Sequence, residues 1–465
     1  MNLNKPVNQL LFPELEQAIE LIDRDAIDVL CEQLSVEDFA ELVEDLTPKH
    51  RSLLFEAIPP KIATDIFQQL GVGEQREILD SLSSPRVAEI INEIDPDDRT
   101  ALLESLPIHA TKQLLSFLKP LERAIAQKLL AFPEDSVGRL MTPDFLAILR
   151  GWTVAQALDY IRKNGEDKET LNDIYVVDGQ GRLLDDILIR EFLLSPLDRS
   201  VEDIRDGQFT SLHALEPKEN AIQAFKKYNN RTALPVIDEE GVLLGIVTID
   251  DILLLEEKET TEDIQMLGGV QALTDSYLEI SFWGMFQKRG GWLLVLFLGQ
   301  MLTTSAMSFF QVEISKAVIL ALFVPLIISS GGNSGSQAAT LVIRALALGE
   351  VLYSDLWKVL RRELLVGFSL GAALGFVGLL RVFIWGATTG DYGDHYIQLG
   401  ISVCASVVCV VTWGTLVGAM LPLLLKRFGL DPATSSAPFV ATLIDITGIL
   451  IYFNIVLWVM QGKLF

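Results

Sequence analysis

Residues 434–461 read TSSAPFVATLIDITGILIYFNIVLWVMQ, a stretch long enough to cross about 30 Å of hydrocarbon that carries a single charge, Asp445. Asp445 lies about ten residues into the stretch, roughly 15 Å deep at 1.5 Å per residue, near the middle of a bilayer. A charge there costs roughly 2.5 to 3.5 kcal/mol on insertion scales, and such residues usually mark an ion or proton path. The alternative is a protonated carboxyl hydrogen-bonded to Thr442 or to a neighbouring helix. The other acids of this part, Glu313, Glu350, Asp355, Glu363, Asp391, Asp394 and Asp431, fall in loops or at the ends of apolar stretches.

Four further apolar stretches precede it, at 291–311, 317–347, 358–386 and 396–425. Five crossings put the two ends of this part on opposite sides. Lys288 and Arg289, then Arg344, Lys358, Arg361 and Arg362, then Lys426 and Arg427 all fall on one side, which the positive-inside rule makes cytosolic. Lys316, the loop with Asp391 and Asp394, and Lys463 fall on the other. A multi-pass protein of the cell membrane is expected, surrounded by lipid, with its amino terminus cytosolic and its carboxy terminus external. Arg381, near the outer end of the third crossing, is the exception.

The second crossing contains PLIISSGGNSGSQAATLVIR, residues 325–344. The Ser329–Gln337 run is too polar and too glycine-rich to face lipid, so it is either a packing seam or a pore wall, with backbone loosened at membrane depth. One carboxylate per chain cannot strip water from a small dication. Mg2+ gives up its water reluctantly and is usually held through its hydration shell by one or two carboxylates. Two copies of Asp445 suit it, which suggests a homodimer with the path on the two-fold axis, lined by Asn333, Gln337, Ala441 and Thr442.

The rest of the chain differs in kind. The whole chain has 465 residues, a net charge of −25 and a mean hydropathy of +0.35, and cutting it after Gln287 resolves the conflict: residues 1–287 carry a net −28 and residues 288–465 a net +3. So acidic a surface repels nucleic acid and anionic lipid and attracts divalent cations, so no nucleic-acid partner is expected. Cys31, Cys404 and Cys409 show neither a disulfide framework nor a metal-ligand pattern. The amino terminus lacks a signal-peptide pattern, so the first 280 or so residues are expected to stay cytosolic. The four histidines are scattered and no nucleophile–base pair or phosphate-cradling glycine loop is present, so no enzyme is expected.

Two repeats organise the acidic part. An aliphatic residue recurs every 12 positions, at Leu34, Leu46, Ile58, Leu70, Leu82, Ile94, Leu106, Leu118 and Leu130, and all but the last are followed by a breaker or cap. Short helices stacked in a superhelix follow from this. Asp95, Asp97 and Asp98 cluster at one helix start, as caps or as a metal site. A second repeat, offset by 60 residues, aligns Ile174–Gly181 with Leu234–Gly241, each copy reading strand, turn, strand, helix. It resembles a paired CBS module, a regulatory fold that commonly binds adenosine nucleotides or ions. The resemblance assigns Thr248 to phosphate and Asp251 to ribose, with ATP the candidate ligand. The first copy departs from it, with Asp185 in place of Gly245 and Glu191 opposite Asp251. The charge run Glu256–Asp263 and the amphipathic stretch to Gln287 read as a connecting helix.

This order of parts resembles the MgtE family of magnesium channels, carried by the 325–344 segment and by PFVATLIDITG at 438–448. The resemblance implies a multidomain fold: an all-α superhelical domain (1–135), an α/β tandem CBS module (136–198 and 199–256), a connecting or plug helix (257–287) and a five-helix transmembrane domain (288–465). It further implies a homodimer conducting Mg2+ passively inward past Asp445. Closure by intracellular Mg2+ would use Asp97 or Asp98, Asp251, Glu259, Glu262 and Asp263. Leu254 and Asn230 stand where relatives can carry acids, and Ala437 where they can carry a polar residue. A proton-coupled divalent-cation transporter would use a midplane Asp445 equally well. A membrane-tethered nucleotide sensor fits a buried carboxylate poorly.

Overall fold

In the computed structural model the chain forms two compact units, residues 1–256 and 257–465. The structure describes residues 6–228, 231–273, 277–278, 280–390, 392–393 and 395–460; Asn230, Asp391, Asp394 and Lys463 lie outside the described residues.

The first unit opens with ten helices: α1 (Pro6–Leu21), α2 (Arg24–Gln33), α3 (Val36–Glu44), α4 (Pro48–Ala57), α5 (Pro60–Gln69), α6 (Val72–Ser81), α7 (Ser84–Glu93), α8 (Pro96–Ser105), α9 (Ile108–Phe117) and α10 (Pro120–Leu130). Side chains of Asp23, Ser35 and Thr47 cap α2, α3 and α4, and proline takes the first position of α4, α5, α8 and α10, where its missing N–H is not needed. From α4 to α9 every helix has 10 residues, and a two-residue extended link completes the 12-residue period. The recurring aliphatic residue is the first link residue. Ile58, Leu82 and Ile94 return their N–H to the carbonyl four residues back while their side chains enter the core. Helices stack on their next-but-one neighbours, α3 on α5, α5 on α7 and α7 on α9, which builds the expected superhelix.

The same unit continues with α11 (Val137–Leu140), β1 (Ala147–Leu149), α12 (Val154–Asn164), β2 (Asp173–Val177), β3 (Leu183–Leu188) and α13 (Ile189–Leu194). The second copy follows as β4 (Leu212–His213), α14 (Glu219–Lys227), β5 (Ala233–Ile237), β6 (Leu243–Thr248) and α15 (Ile249–Leu267). Each copy has a three-stranded sheet with one parallel and one antiparallel pair, and the register shift at Val176/Val177 recurs at Val236/Ile237. The copies join reciprocally: Leu183 N–H donates to Gly241 O and Leu243 N–H to Gly181 O, both at 3.0 Å, with the two glycines at φ near +80°.

The charge run is helical but belongs to α15, which starts inside the second copy and stops at Leu267. Gly268 and Gly269, the latter at φ +75°, end it, and Phe282–Gln287 already open the next helix.

Five helical segments of the second unit are long and apolar enough to cross a membrane. They are α16 (Phe282–Phe309), then, after α17 (Gln311–Lys316), a 3-10 turn leading into α18 (Val324–Ala347), and α19 (Leu356–Thr389), α20 (Tyr396–Arg427) and α21 (Ala437–Met460). The glycine-rich run was expected to loosen the backbone. Instead α18 is a continuous helix whose buried face includes Gly331, Gly332, Ser334 and Gly335. A Cβ on Gly414 would collide with Gly331 O, and one on Gly418 with Gly335 O, so α18 and α20 touch backbone to backbone. Gly371 and Gly375 serve α19 in the same way, where a Cβ would lie 2.9 Å from Val408 Cα and from Cys404 O. The run is therefore a packing seam on this face. Arg381, the charge that broke the sidedness pattern, lies over the Trp385 ring at 3.8 Å.

Gly414→Val should lower the melting temperature of the detergent-solubilised protein, with overpacking costing on the order of 1–3 kcal/mol. Gly378→Ala, whose Cβ would meet Val403 Cγ1 at an ordinary 3.5 Å, should leave it unchanged. Intrinsic tryptophan fluorescence during heating distinguishes the two.

Candidate ion pathway and regulatory carboxylates

Proline at the second position of α21 delays the helix start to Ala437, so Asp445 sits about 12 Å along a helix of about 36 Å. That is closer to the helix start than the sequence suggested. Pro438, Ala441, Thr442 and Asp445 recur at helical spacing and form one half-buried face. On one side of this face stands α18, where a Cβ on Gly332 would lie 3.7 Å from Ala441 Cβ and 4.0 Å from Asp445 Oδ1. On the other stands α16, where Gly299 faces Thr442 Cγ2. Thr442 Oγ1 donates to Pro438 O at 2.9 Å, so its hydrogen is spent on its own helix rather than on Asp445. Asn333 and Gln337 lie on the exposed face of α18. Ser336 Oγ donates to Ala437 O at 3.1 Å, a backbone carbonyl where the side chain offers nothing polar.

The turn that ends α15 docks at the start of this face. A Cβ on Gly269 would lie 2.9 Å from Trp292 Cδ1 and 3.4 Å from Pro438 Cγ. Trp292 Nε1 donates to Ser436 Oγ at 3.1 Å, its ring lies 6.0 Å from that of Phe439, and Gln271 N–H donates to Lys288 O. Two turns earlier on α15, Asp263 is pushed up to about 6, first by burial and then by Asp431, Glu259 and Glu262.

A second set of carboxylates lies within the first unit. Asp95, Asp97 and Asp98 sit at the start of α8, and Asp250 and Asp251 in the first turn of α15. Asp97 and Asp251 are close enough for their negative charges to act on each other. Burial drives Asp97 well above the usual carboxylate range, with Asp251, Asp98 and Glu169 adding to it. Burial likewise lifts Glu169 to about 7 and Asp251 to about 6. Gln68 donates to Asp95 and Asp98, and Thr248 Oγ1 donates to Asp251 Oδ2 at 2.7 Å, whereas Asp97 Oδ1 is buried with no partner. Among the described residues no group of three or more His, Cys, Asp or Glu is arranged to hold a metal ion as it stands.

The structure thus brings Asp97, Asp98 and Asp251 together in one unit, and Glu259, Glu262 and Asp263 together in the other. Glu169, Asp250 and Asp431 were not singled out. Asp431 had a legible signal, an acid just before the start of α21; Glu169 lies in an irregular segment where no pattern marks it. In the first CBS copy, Asp185 is buried and accepts from Gly207 N–H at 2.9 Å and Asp186 N–H at 3.0 Å.

Residues 324–455 match the family described as MgtE, divalent cation transporter; residues 34–135 match the MgtE intracellular N domain, and 137–194 and 201–257 match CBS domains. A magnesium transporter MgtE of Thermus thermophilus is 35% identical over 453 residues, which is 97% of this chain and 98% of that one. The chain belongs to the MgtE family. An MgtE magnesium transporter of Enterococcus faecalis is 32% identical over 71% of this chain and 70% of its own. The crystal structure of the cytosolic domain of the Mg2+ channel MgtE in complex with ATP superposes with a TM-score of 0.50 at 31% identity, covering 53% of this chain and all of that one.

Glu169, Asp251 and Asp263 bind protons more tightly folded than unfolded, where carboxyls titrate near 4. Their contribution to the stability of this MgtE chain is therefore greatest at low pH and is lost as pH rises through 6 to 7. In metal-free buffer the melting temperature should fall between pH 5.5 and 8, and Asp251→Asn should flatten that slope and raise the value at pH 8.

Proposed function

We propose that this chain conducts Mg2+ inward, down its electrochemical gradient, as a homodimer in the cell membrane. The observation that carries the reading is the Asp445 carboxylate on the half-buried face of α21, beside Gly332 of α18. The face is open on a single chain, so a second copy of it completes a path. Two carboxylates there attract a dication without stripping its water, which Mg2+ surrenders reluctantly. Asn333, Gln337, Ala441 and Thr442 complete the lining. The basic loops, read by the positive-inside rule, support an amino terminus in the cytosol and a carboxy terminus outside.

Regulation by cytosolic Mg2+ rests on carboxylates that are gathered close together. Asp97, Asp98 and Asp251, with Glu169, and separately Glu259, Glu262 and Asp263, with Asp431, repel one another at neutral pH. The partnerless Asp97 oxygen and this all-oxygen donor set suit a hard cation. Millimolar Mg2+ would favour the compact arrangement, because a ligand shifts an equilibrium only by its preference for one state. The turn at Gly269, against Pro438, is where a movement of α15 reaches the pathway. A relative's cytosolic domain is solved with ATP, and Thr248 with Asp251 supports nucleotide binding in the second CBS copy.

Mg2+ uptake should be followed in liposomes with and without Mg2+ on the cytosolic face. The wild type should conduct and be suppressed by that Mg2+; Asp445→Ala should lose at least about tenfold in flux. Undiminished flux through Asp445→Ala removes the pathway. Uptake that acidifies or alkalinises the lumen in step with Mg2+ favours the proton-coupled transporter instead.

A further inference from the structure

We infer that α19 carries a site for an anionic phospholipid, its headgroup phosphate held by Arg361 and Arg362 and its acyl chains lying along the exposed apolar face of the same helix. The inference goes beyond the proposed function and does not rest on the ion pathway.

α19 has two faces of different make. Its buried residues are Gly367, Gly371, Gly375, Gly378, Val382 and Gly386, and it packs chiefly on α20. Every glycine that would let another helix approach closely is thus already spent on that contact. The opposite face is built of large exposed side chains, Leu365, Phe368, Phe376 and Val377 among them. Helices in a membrane meet through small residues, whereas bulky aliphatic and aromatic side chains suit acyl chains. A lipid therefore fits this face better than a second copy of the chain does.

The charges mark where the lipid begins and ends. Arg362 and Arg381 are 19 positions apart, about 28 Å along the helix, close to the thickness of a bilayer's hydrocarbon. A tryptophan stands about one turn outside each rim, Trp357 four residues before Arg361 and Trp385 four after Arg381. Such amphipathic rings settle at the headgroup level. At one rim the Arg381 guanidinium lies over the Trp385 ring at 3.8 Å. At the other, Trp357, Arg361, Leu365 and Phe368 follow one another at helical spacing, so a ring, a guanidinium and an apolar track share one stripe.

The two arginines at this rim are free to take a ligand. Lys358 Nζ is held by Asp355 at 2.6 Å, and Lys426 Nζ donates to Leu346 O at 3.3 Å. Arg361 and Arg362 are exposed and make no ion pair among the described residues. Glu363 offsets part of the Arg362 charge and leaves the turn net positive. A guanidinium fork matches two phosphate oxygens at once. A zwitterionic headgroup brings its own cation to the same rim and an anionic one does not, so the charge of this turn selects the anionic lipid.

The test measures lipid binding to the full-length detergent-solubilised protein by native mass spectrometry, using phosphatidylglycerol, phosphatidylcholine and, as a headgroup without chains, glycerol phosphate. The wild type should bind phosphatidylglycerol at least about tenfold more tightly than phosphatidylcholine, and the preference should shrink as salt is raised. Arg361→Gln/Arg362→Gln should weaken phosphatidylglycerol binding about thirtyfold, or about fivefold for each arginine, and leave phosphatidylcholine unchanged. The single variants supply the comparison should the double variant fail to fold. Equal binding of the two lipids by the wild type overturns the inference, as does a folded double variant that keeps the preference. Glycerol phosphate that displaces the lipid at equal concentration makes this a site for soluble phosphate and overturns it too. A change of oligomeric mass on substitution gives the face to a second copy of the chain, with the same consequence.

Discussion

Backbone contact between α18 and α20 is the constraint on which the membrane unit depends. Gly331 and Gly335 leave no side chains between the two helices, and Ile444 of α21 fills the hollow that these glycines leave on the same face. Once Ile444 is seated there, the next residue is turned by about 100° around the helix, toward Gly332 and away from the core. That residue is Asp445. An acid that would be costly in a hydrocarbon environment is held at the border between packed protein and the open side of the chain.

Charge elsewhere obeys the same economy of partners. The acidic part has a few well-made ion pairs, such as Arg231 with Asp186 at 2.9 Å, and several groups of carboxylates whose charges act on one another. These groups are concentrated at α8, at the start of α15 and farther along α15. The glycine turn that ends α15 makes a local contact with Trp292 and Pro438.

The sequence made the large features legible wherever a period ran for many residues. The 12-residue repeat marks the links from Ile58 to Leu118 because one aliphatic residue both ends a helix and packs inward. The 60-residue offset marks the CBS copies because each copy folds on the same turn, held by Asp178 or Asp238. Asp445 stood out because burial makes a lone acid expensive. The glycine run was ambiguous for a physical reason: small residues suit close packing and also loosen helices, and only the facing glycines of α20, more than 80 positions away, decide between the two. The stop at Leu267 was missed because the amphipathic pattern continues on its far side.

The uniform helix-plus-link unit of the amino-terminal stack makes its length divisible. Removing 12 consecutive residues from the regular region would shorten the stack by one rung and leave the remaining rungs facing as before. Removing a single residue would swing every following helix by about 100° and turn its apolar stripe out of the interior. The stack thus accepts changes of size in whole rungs only, so its reach can be lengthened or trimmed in steps without redesigning any helix.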